Sequence, residues 1–125
     1  MSDDFPADVR EFIAKNIESL AQLELLLLLH GEGGRQWSAG EVAQIFGISA
    51  TMSVALLSEL VGRGFARSVD DKFQYDVKNV DTDQLIGKLG QTYQSRRVAV
   101  TTEIYSKPMN RLKTFAEAFR FRREE

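Results

Sequence analysis

Apolar residues recur along this chain with several different periods. Val9, Phe12, Ile13 and Ile17 follow an i, i+3, i+4, i+8 pattern, which places them on one face of a helix from roughly Ala7 to Ile17. The leucines from Leu20 to about His30 occupy nearly every side, so that helix is expected to be buried over most of its surface. Ser19-Leu20-Ala21-Gln22 reads as a capping box that opens it, and Gly31-Glu32-Gly33-Gly34 ends it. A shorter apolar segment follows Trp37, and then an apolar helix covers Ala50 to Arg63. Phe65 to Val69 and Phe73 to Val77 are rich in strand formers, and Asp70-Asp71-Lys72 supplies a turn between them. Asp81-Thr82-Asp83 marks another helix start. Leu85, Leu89, Tyr93, Val100 and Ile104 then form an irregular stripe, interrupted near Arg96 and Arg97. Gly87 and Gly90 each cost about 1 kcal/mol relative to alanine in a helix, which leaves open a start after Gly90. Pro108 suits the first turn of a last helix, whose face is Met109, Leu112, Phe115, Ala116 and Phe119.

The middle of the chain carries the most specific signals. Ser38 and Glu41 form an S-x-x-E capping box. Ala43 is small where two helices must approach closely. Gly47 can adopt the left-handed conformation of a tight turn, and Ser49 is a good N-cap for the next helix. Gly62 and Gly64 bracket that helix's end, and the hairpin follows at once. Helix, tight turn, helix and hairpin, in that order, predict a winged helix-turn-helix over residues 37–77. The expected fold is mostly α with a small β-hairpin, extended by helices at both termini. Residues 1–80 hold the N-terminal helices and the winged part. Residues 81–125 form a C-terminal helical extension and a dimerisation element.

Composition narrows the function classes. With 125 residues, 43% hydrophobic and 27% charged, the chain has the make-up of an ordinary globular domain with a core of its own. It has no cysteine, which excludes disulfides, thiolate metal sites and a cysteine nucleophile, and fits a reducing cytoplasm. The acidic start is not a signal peptide, and the Leu25–Leu29 run is too short to span a bilayer. His30 is the only histidine, so a metal site is not expected, nor is a cofactor. Gly31–Gly34 lacks the Gly-Lys-Ser/Thr ending of a phosphate loop, and no nucleophile–base–orienter set is readable. An enzyme is not expected.

The net charge of −2 is unevenly spread. Residues 1–34 hold 2 basic and 7 acidic side chains, residues 35–80 hold 5 of each, and residues 81–125 hold 9 basic and 6 acidic. The winged part is therefore neutral, which is unusual for a dedicated DNA-binding domain. The C-terminal cluster of Arg111, Lys113, Arg120, Arg122 and Arg123 lies among Phe115, Phe119 and Phe121; it reads as a solvated face or as a basic surface for nucleic acid, a membrane or a partner.

If Leu57, Leu60 and Val61 face the core, the outward face of the second helix of the turn holds Ala50, Thr51, Met52, Ala55 and Ser58. Side chains able to make bidentate bonds to base edges are missing there until Glu59. Duplex DNA and a protein are therefore both open as partners. For DNA, the candidate contacts are Ser49, Thr51 and Met52 at the helix start, Arg67 and Lys72 on the wing with Lys78 beyond, and Arg35 and Arg63 as further phosphate contacts. For a protein partner, Met52 and Leu56 belong to an apolar contact surface. The tail after Val80 carries more apolar stripe than a small winged domain covers, which predicts a homodimer with Val100, Ile104, Leu112, Phe115 and Phe119 at its interface.

The residues from Trp37 to Val77 resemble the bacterial winged helix-turn-helix proteins with helical dimerisation extensions, broadly the multiple-antibiotic-resistance-type and phenolic-acid-type repressors. The resemblance covers about 40 residues of the 125. It implies a transcriptional regulator that binds DNA, commonly as a dimer. Ser53, six residues after the turn glycine, stands where that family usually has an aliphatic residue.

Overall fold

The computed structural model describes residues 5–106. The order of elements is α1 (Ala7–Asn16), α2 (Leu20–Gly31), β1 (Gln36–Ser38), α3 (Ala39–Phe46), α4 (Ala50–Gly62), β2 (Ala66–Val69), β3 (Lys72–Tyr75), α5 (Val80–Ser95) and α6 (Arg97–Tyr105). The strands form one antiparallel sheet in the order β1-β3-β2. Mostly helical, with a helix-turn-helix and a wing flanked by further helices, this is the architecture expected from the sequence.

The leucine-rich helix α2 is the axis of the core. Leu23, Leu25, Leu26 and Leu29 are fully buried, and α4, α5 and β3 pack around them. Each neighbour presents a narrower apolar stripe: Val9, Phe12 and Ile13 on α1, Leu57 and Leu60 on α4, Ile86 and Leu89 on α5. Together with Trp37 and Val42 these residues form one continuous cluster, so the winged part and the described part of the extension share a core.

Several sequence expectations change on contact with the structure. Ser19 Oγ does accept from the Gln22 amide, but the Gln22 side chain does not return to Ser19. Its Oε1 accepts from the Glu18 amide and its Nε2 donates to the Asn16 carbonyl, so a buried glutamine stitches α1 to α2. The hairpin turn is two residues, Asp70 and Asp71, at φ 53° and 66°; Lys72 is already in β3. Positive φ at both positions is the primed turn that matches strand twist, and aspartate tolerates it better than most residues. α5 starts at Val80, capped by Asn79, and runs straight through Gly87 and Gly90. A start after Gly90 is thereby overturned. Both glycines face α2: a Cβ at Gly87 would sit 3.6 Å from the His30 ring and one at Gly90 3.4 Å from Leu27, ordinary contact distances. The stripe breaks at Arg96, where the backbone leaves helical values between α5 and α6.

Val100 and Ile104, expected at a dimer interface, have neighbours inside their own chain. α6 packs against α1, which leaves them 0% and 3% exposed within their own chain. Within one chain, then, α1 already covers both side chains. Leu112, Phe115 and Phe119 lie outside the described residues, as does the basic C-terminal cluster.

Candidate nucleic-acid interface

The helix-turn-helix is set by its caps. Ser38 Oγ accepts from the Glu41 amide at 3.0 Å while Glu41 Oε1 accepts from the Ser38 amide at 2.9 Å, completing the predicted box at the start of α3. Gly47 ends α3 at φ 66°, and Ser49 Oγ caps α4 through the Met52 amide. The chain turns through 111° between the two helices, within the range usual for a helix-turn-helix. Ser53 is fully buried where they meet, and its hydroxyl donates to the Ala39 carbonyl at 2.7 Å. The polar residue on the inner face thus has a partner.

The rotation of α4 agrees with its sequence pattern. Leu57 and Leu60 are buried and Leu56 and Val61 are half-buried. Ala50, Thr51, Met52, Ala55 and Ser58 are exposed, and Met52 has 52% of its surface free. Glu59, the first residue of base-reading type, is bonded to Arg63 at 3.2 Å.

Most cations named from the sequence are already engaged. Arg35 lies over the Trp37 ring, 3.8 Å from its centroid, and pairs with Glu41 at 3.3 Å and Glu32 at 3.5 Å. Lys72 stands opposite Ser38 in the sheet, close enough to act electrostatically on Glu41. The Glu41 carboxyl is held below its ordinary range, chiefly by the hydrogen bond from the Ser38 amide and then by the charges of Arg35 and Lys72. Arg67 donates to Gln74 Oε1 across the wing at 3.3 Å and is exposed. Lys78 pairs with Asp76. Arg63 is not with the others: it caps the far end of α4, roughly 20 Å along the helix from Ser49. There its guanidinium reaches Glu18, Glu59 and the Lys15 carbonyl. The structure therefore gathers Arg35, Lys72 and Glu41 at one end of the sheet, sets Arg67 on the wing face, and turns Arg63 toward α1.

Sequence reasoning missed two features. One is β1, which seats Trp37 in the core and brings Arg35 beside the start of α3. The other is the joint between the wing and α5. Tyr75 of β3 donates to Asp83 Oδ1 at 2.5 Å, and the His30 ring meets Tyr75 edge-on with its Nε2 3.6 Å from the same carboxylate. Burial first, and Asp83 second, push the Tyr75 hydroxyl well above its ordinary range, so it stays a donor. A three-residue strand and a contact across 53 positions have no local sequence signal.

Among the described residues no cluster of three or more histidine, cysteine, aspartate or glutamate side chains is placed to hold a metal ion. No single described helix is long and apolar enough to cross a membrane.

A turn of two capped helices followed by a hairpin, packed against terminal helices, defines a winged helix-turn-helix protein. Solved structures share this fold. The transcriptional regulator Tm0710 from Thermotoga maritima is 17% identical, with a TM-score of 0.52, over 92% of this chain and 85% of that one. A MarR family protein from Bacillus stearothermophilus is 17% identical, with a TM-score of 0.50, over 93% of this chain and 80% of that one. At this identity the likeness is one of fold, and it extends beyond the 40 residues of the sequence resemblance to the flanking helices. No protein-family model and no curated protein matches the chain.

Proposed function

We propose that this chain is a DNA-binding winged-helix protein that acts in transcriptional regulation in the cytoplasm as a homodimer. The observation that carries the reading is the open N-terminal half of α4, with Ser49, Thr51 and Met52 at its outer end, in a fold that also presents a wing bearing Arg67 and Lys72. The regulator from Thermotoga maritima, a protein of the same fold, supports it. Thr51 and Met52 offer a thymine methyl little more than apolar contact, so discrimination would come from duplex shape and phosphate position more than from base edges. Leu112, Phe115 and Phe119 of the C-terminal segment would join two copies, placing two reading helices about one turn of DNA apart.

A titration on mixed-sequence duplex across salt concentrations tests this reading. Each phosphate neutralised contributes about −0.9 to the slope of log K against log salt. With Arg67 and Lys72 from each of two copies, a slope of roughly −3 to −4 is expected. Arg35 would add to it only by exchanging Glu41 and Glu32 for phosphate. Arg67→Ala with Lys72→Ala should weaken binding to all sequences alike. Absence of binding at low salt would remove the DNA reading. It would leave the second one, a protein-interaction module, which the exposure of Ile45 (55%), Met52 (52%) and Val54 (44%) on α3 and α4 favours.

A further inference from the structure

The two faces of the wing are tied to different partners. Along β3 the side chains alternate between one face of the sheet and the other. Lys72 and Gln74 lie on the outer face, where Gln74 stands opposite Arg67 and its Oε1 accepts from the Arg67 guanidinium at 3.3 Å. Phe73 and Tyr75 lie on the inner face, packed against the core, with Phe73 opposite the buried Trp37. β2 is an edge strand paired with β3, and Arg67, Ser68 and Val69 are exposed on it. The placement of both wing cations therefore follows the placement of β3.

At the end of β3, Tyr75 makes a bond that the hairpin itself does not need. Its ladder partner is Ala66, and the base of the hairpin is closed by the Asp76 amide, which donates to the Phe65 carbonyl at 2.9 Å. Beyond this ladder, the Tyr75 hydroxyl donates to Asp83 Oδ1 at 2.5 Å. Asp83 is not spent on starting α5, because Asn79 caps that helix by accepting from the Thr82 amide. His30, near the end of α2, backs both residues. Its ring meets Tyr75 edge-on with centroids 5.2 Å apart, and its Nε2 lies 3.6 Å from the same carboxylate oxygen. Three elements, β3, α2 and α5, thus meet at one carboxylate.

We propose that Tyr75 and Asp83 are positioning residues for the wing: their bond sets the angle at which Arg67 and Lys72 meet a DNA backbone. This rests on the DNA reading above and specifies what aims the wing. Lever length supports it. Tyr75 and Lys72 are three residues apart on one strand, about 10 Å, so a small rotation of β3 about its base moves the cations by ångströms. A charge-assisted bond to phosphate, at about 2.7–2.9 Å, does not survive such a shift. The chemistry of the joint supports it too. A hydroxyl on a carboxylate is short and roughly twice as strong as a neutral hydrogen bond, so it fixes orientation where apolar packing alone leaves play. Both residues act through Arg67 and Lys72 rather than on the duplex. If the wing is aimed in only a fraction of molecules, apparent affinity falls by that fraction.

Tyr75→Phe removes the hydroxyl and leaves the ring against His30. Losing this bond should weaken binding to mixed-sequence duplex at low salt by roughly three- to ten-fold. Asp83→Ala should do the same, while Asp83→Asn, which keeps an oxygen acceptor, should stay within about two-fold of the parent. The decisive arm repeats Tyr75→Phe in the Arg67→Ala, Lys72→Ala background. With no cations left to aim, the hydroxyl should change binding there by less than about two-fold. A general structural defect would weaken both backgrounds alike.

Amide hydrogen exchange over residues 66–75 reads the joint without DNA. It should be faster in Tyr75→Phe and Asp83→Ala, by roughly the same three- to ten-fold, and close to the parent in Asp83→Asn. Equal weakening in both backgrounds, parent-like binding by Tyr75→Phe, or unchanged exchange would each overturn the proposal. No binding by the parent at low salt would defeat the DNA reading itself, and exchange would then decide whether Tyr75 and Asp83 hold the wing.

Discussion

Ser53 is a position where the resemblance to known repressors and the structure of this chain make opposite forecasts. The resemblance says that an aliphatic side chain belongs there, so Ser53→Val should stabilise. The structure says otherwise. Ser53 is fully buried where α3 and α4 meet, and its hydroxyl donates to Ala39 O at 2.7 Å. Ser53→Ala removes that hydrogen bond and little else. The Ala39 carbonyl keeps its place in the helix ladder, so the loss should be about 1 kcal/mol. Ser53→Val loses the same bond and adds volume at a close helix approach. Overpacking of this kind costs about 1–3 kcal/mol, while the extra buried carbon returns about 1–1.5 kcal/mol.

The sum is a net loss of about 0.5–3 kcal/mol for valine, with its middle above the loss of about 1 kcal/mol for alanine. Ser53→Thr keeps the donor and should fall nearest the parent. Urea unfolding of the four proteins at one temperature measures the order, with an unchanged m-value as the check that the denatured state is constant. If Ser53→Val raises the midpoint above the parent, the helix–helix junction has room to spare, and the hydrogen bond to Ala39 is not what holds serine there.

Two further outcomes follow from the same geometry. Leu57→Ala, at a fully buried position on α4, should cost about 2–5 kcal/mol, whereas Thr51→Ala should cost almost nothing; the reverse order in thermal melts would mean that α4 is rotated from the face described. The carboxyls of Glu41 and Asp8 titrate below their ordinary values of 4.5 and 3.8, through the Ser38 amide and Lys88 respectively, so their contribution is complete above the ordinary carboxylate range and lost as the pH falls through the lowered values. Melting temperatures between about pH 3 and 7 should drop at the acid end, and Glu41→Gln with Asp8→Asn should flatten that limb; an unaltered limb would assign acid sensitivity to other carboxylates.

The legible parts of this chain are those whose chemistry is local. Ser38 with Glu41, Gly47 and Ser49 each act within a few residues, and each takes the role its neighbours dictate. The leucines of α2 predicted burial because they occupy nearly every side of the helix. What escaped depends on distant partners. β1 is three residues long and exists because β3 offers it a ladder. Gly87 and Gly90 argue locally against a helix, yet lie inside one whose face packs on α2. Val100 and Ile104 show apolarity and period in the sequence, but only α1 decides that they are covered within the chain. The candidate cations read as free charges because their carboxylate partners cannot be paired from the order of residues.

That last point bears on what the winged part can do. Glu41 is held by the Ser38 amide, so it cannot swing away from the start of α3 without opening the cap. Arg35 is its partner and is further pinned on Trp37. A phosphate reaching Arg35 must therefore compete with a fixed carboxylate at 3.3 Å. The winged part has the fold of a helix-turn-helix while its side chains supply little net positive charge, so on the DNA reading proposed above affinity would come from docking two such surfaces at once. A second copy at a fixed spacing does that without any new base contact, since linked sites bind with an effective concentration set by their tether. On that proposed reading, a monomer with this neutral surface would bind duplex weakly, and pairing of two copies would supply the missing affinity.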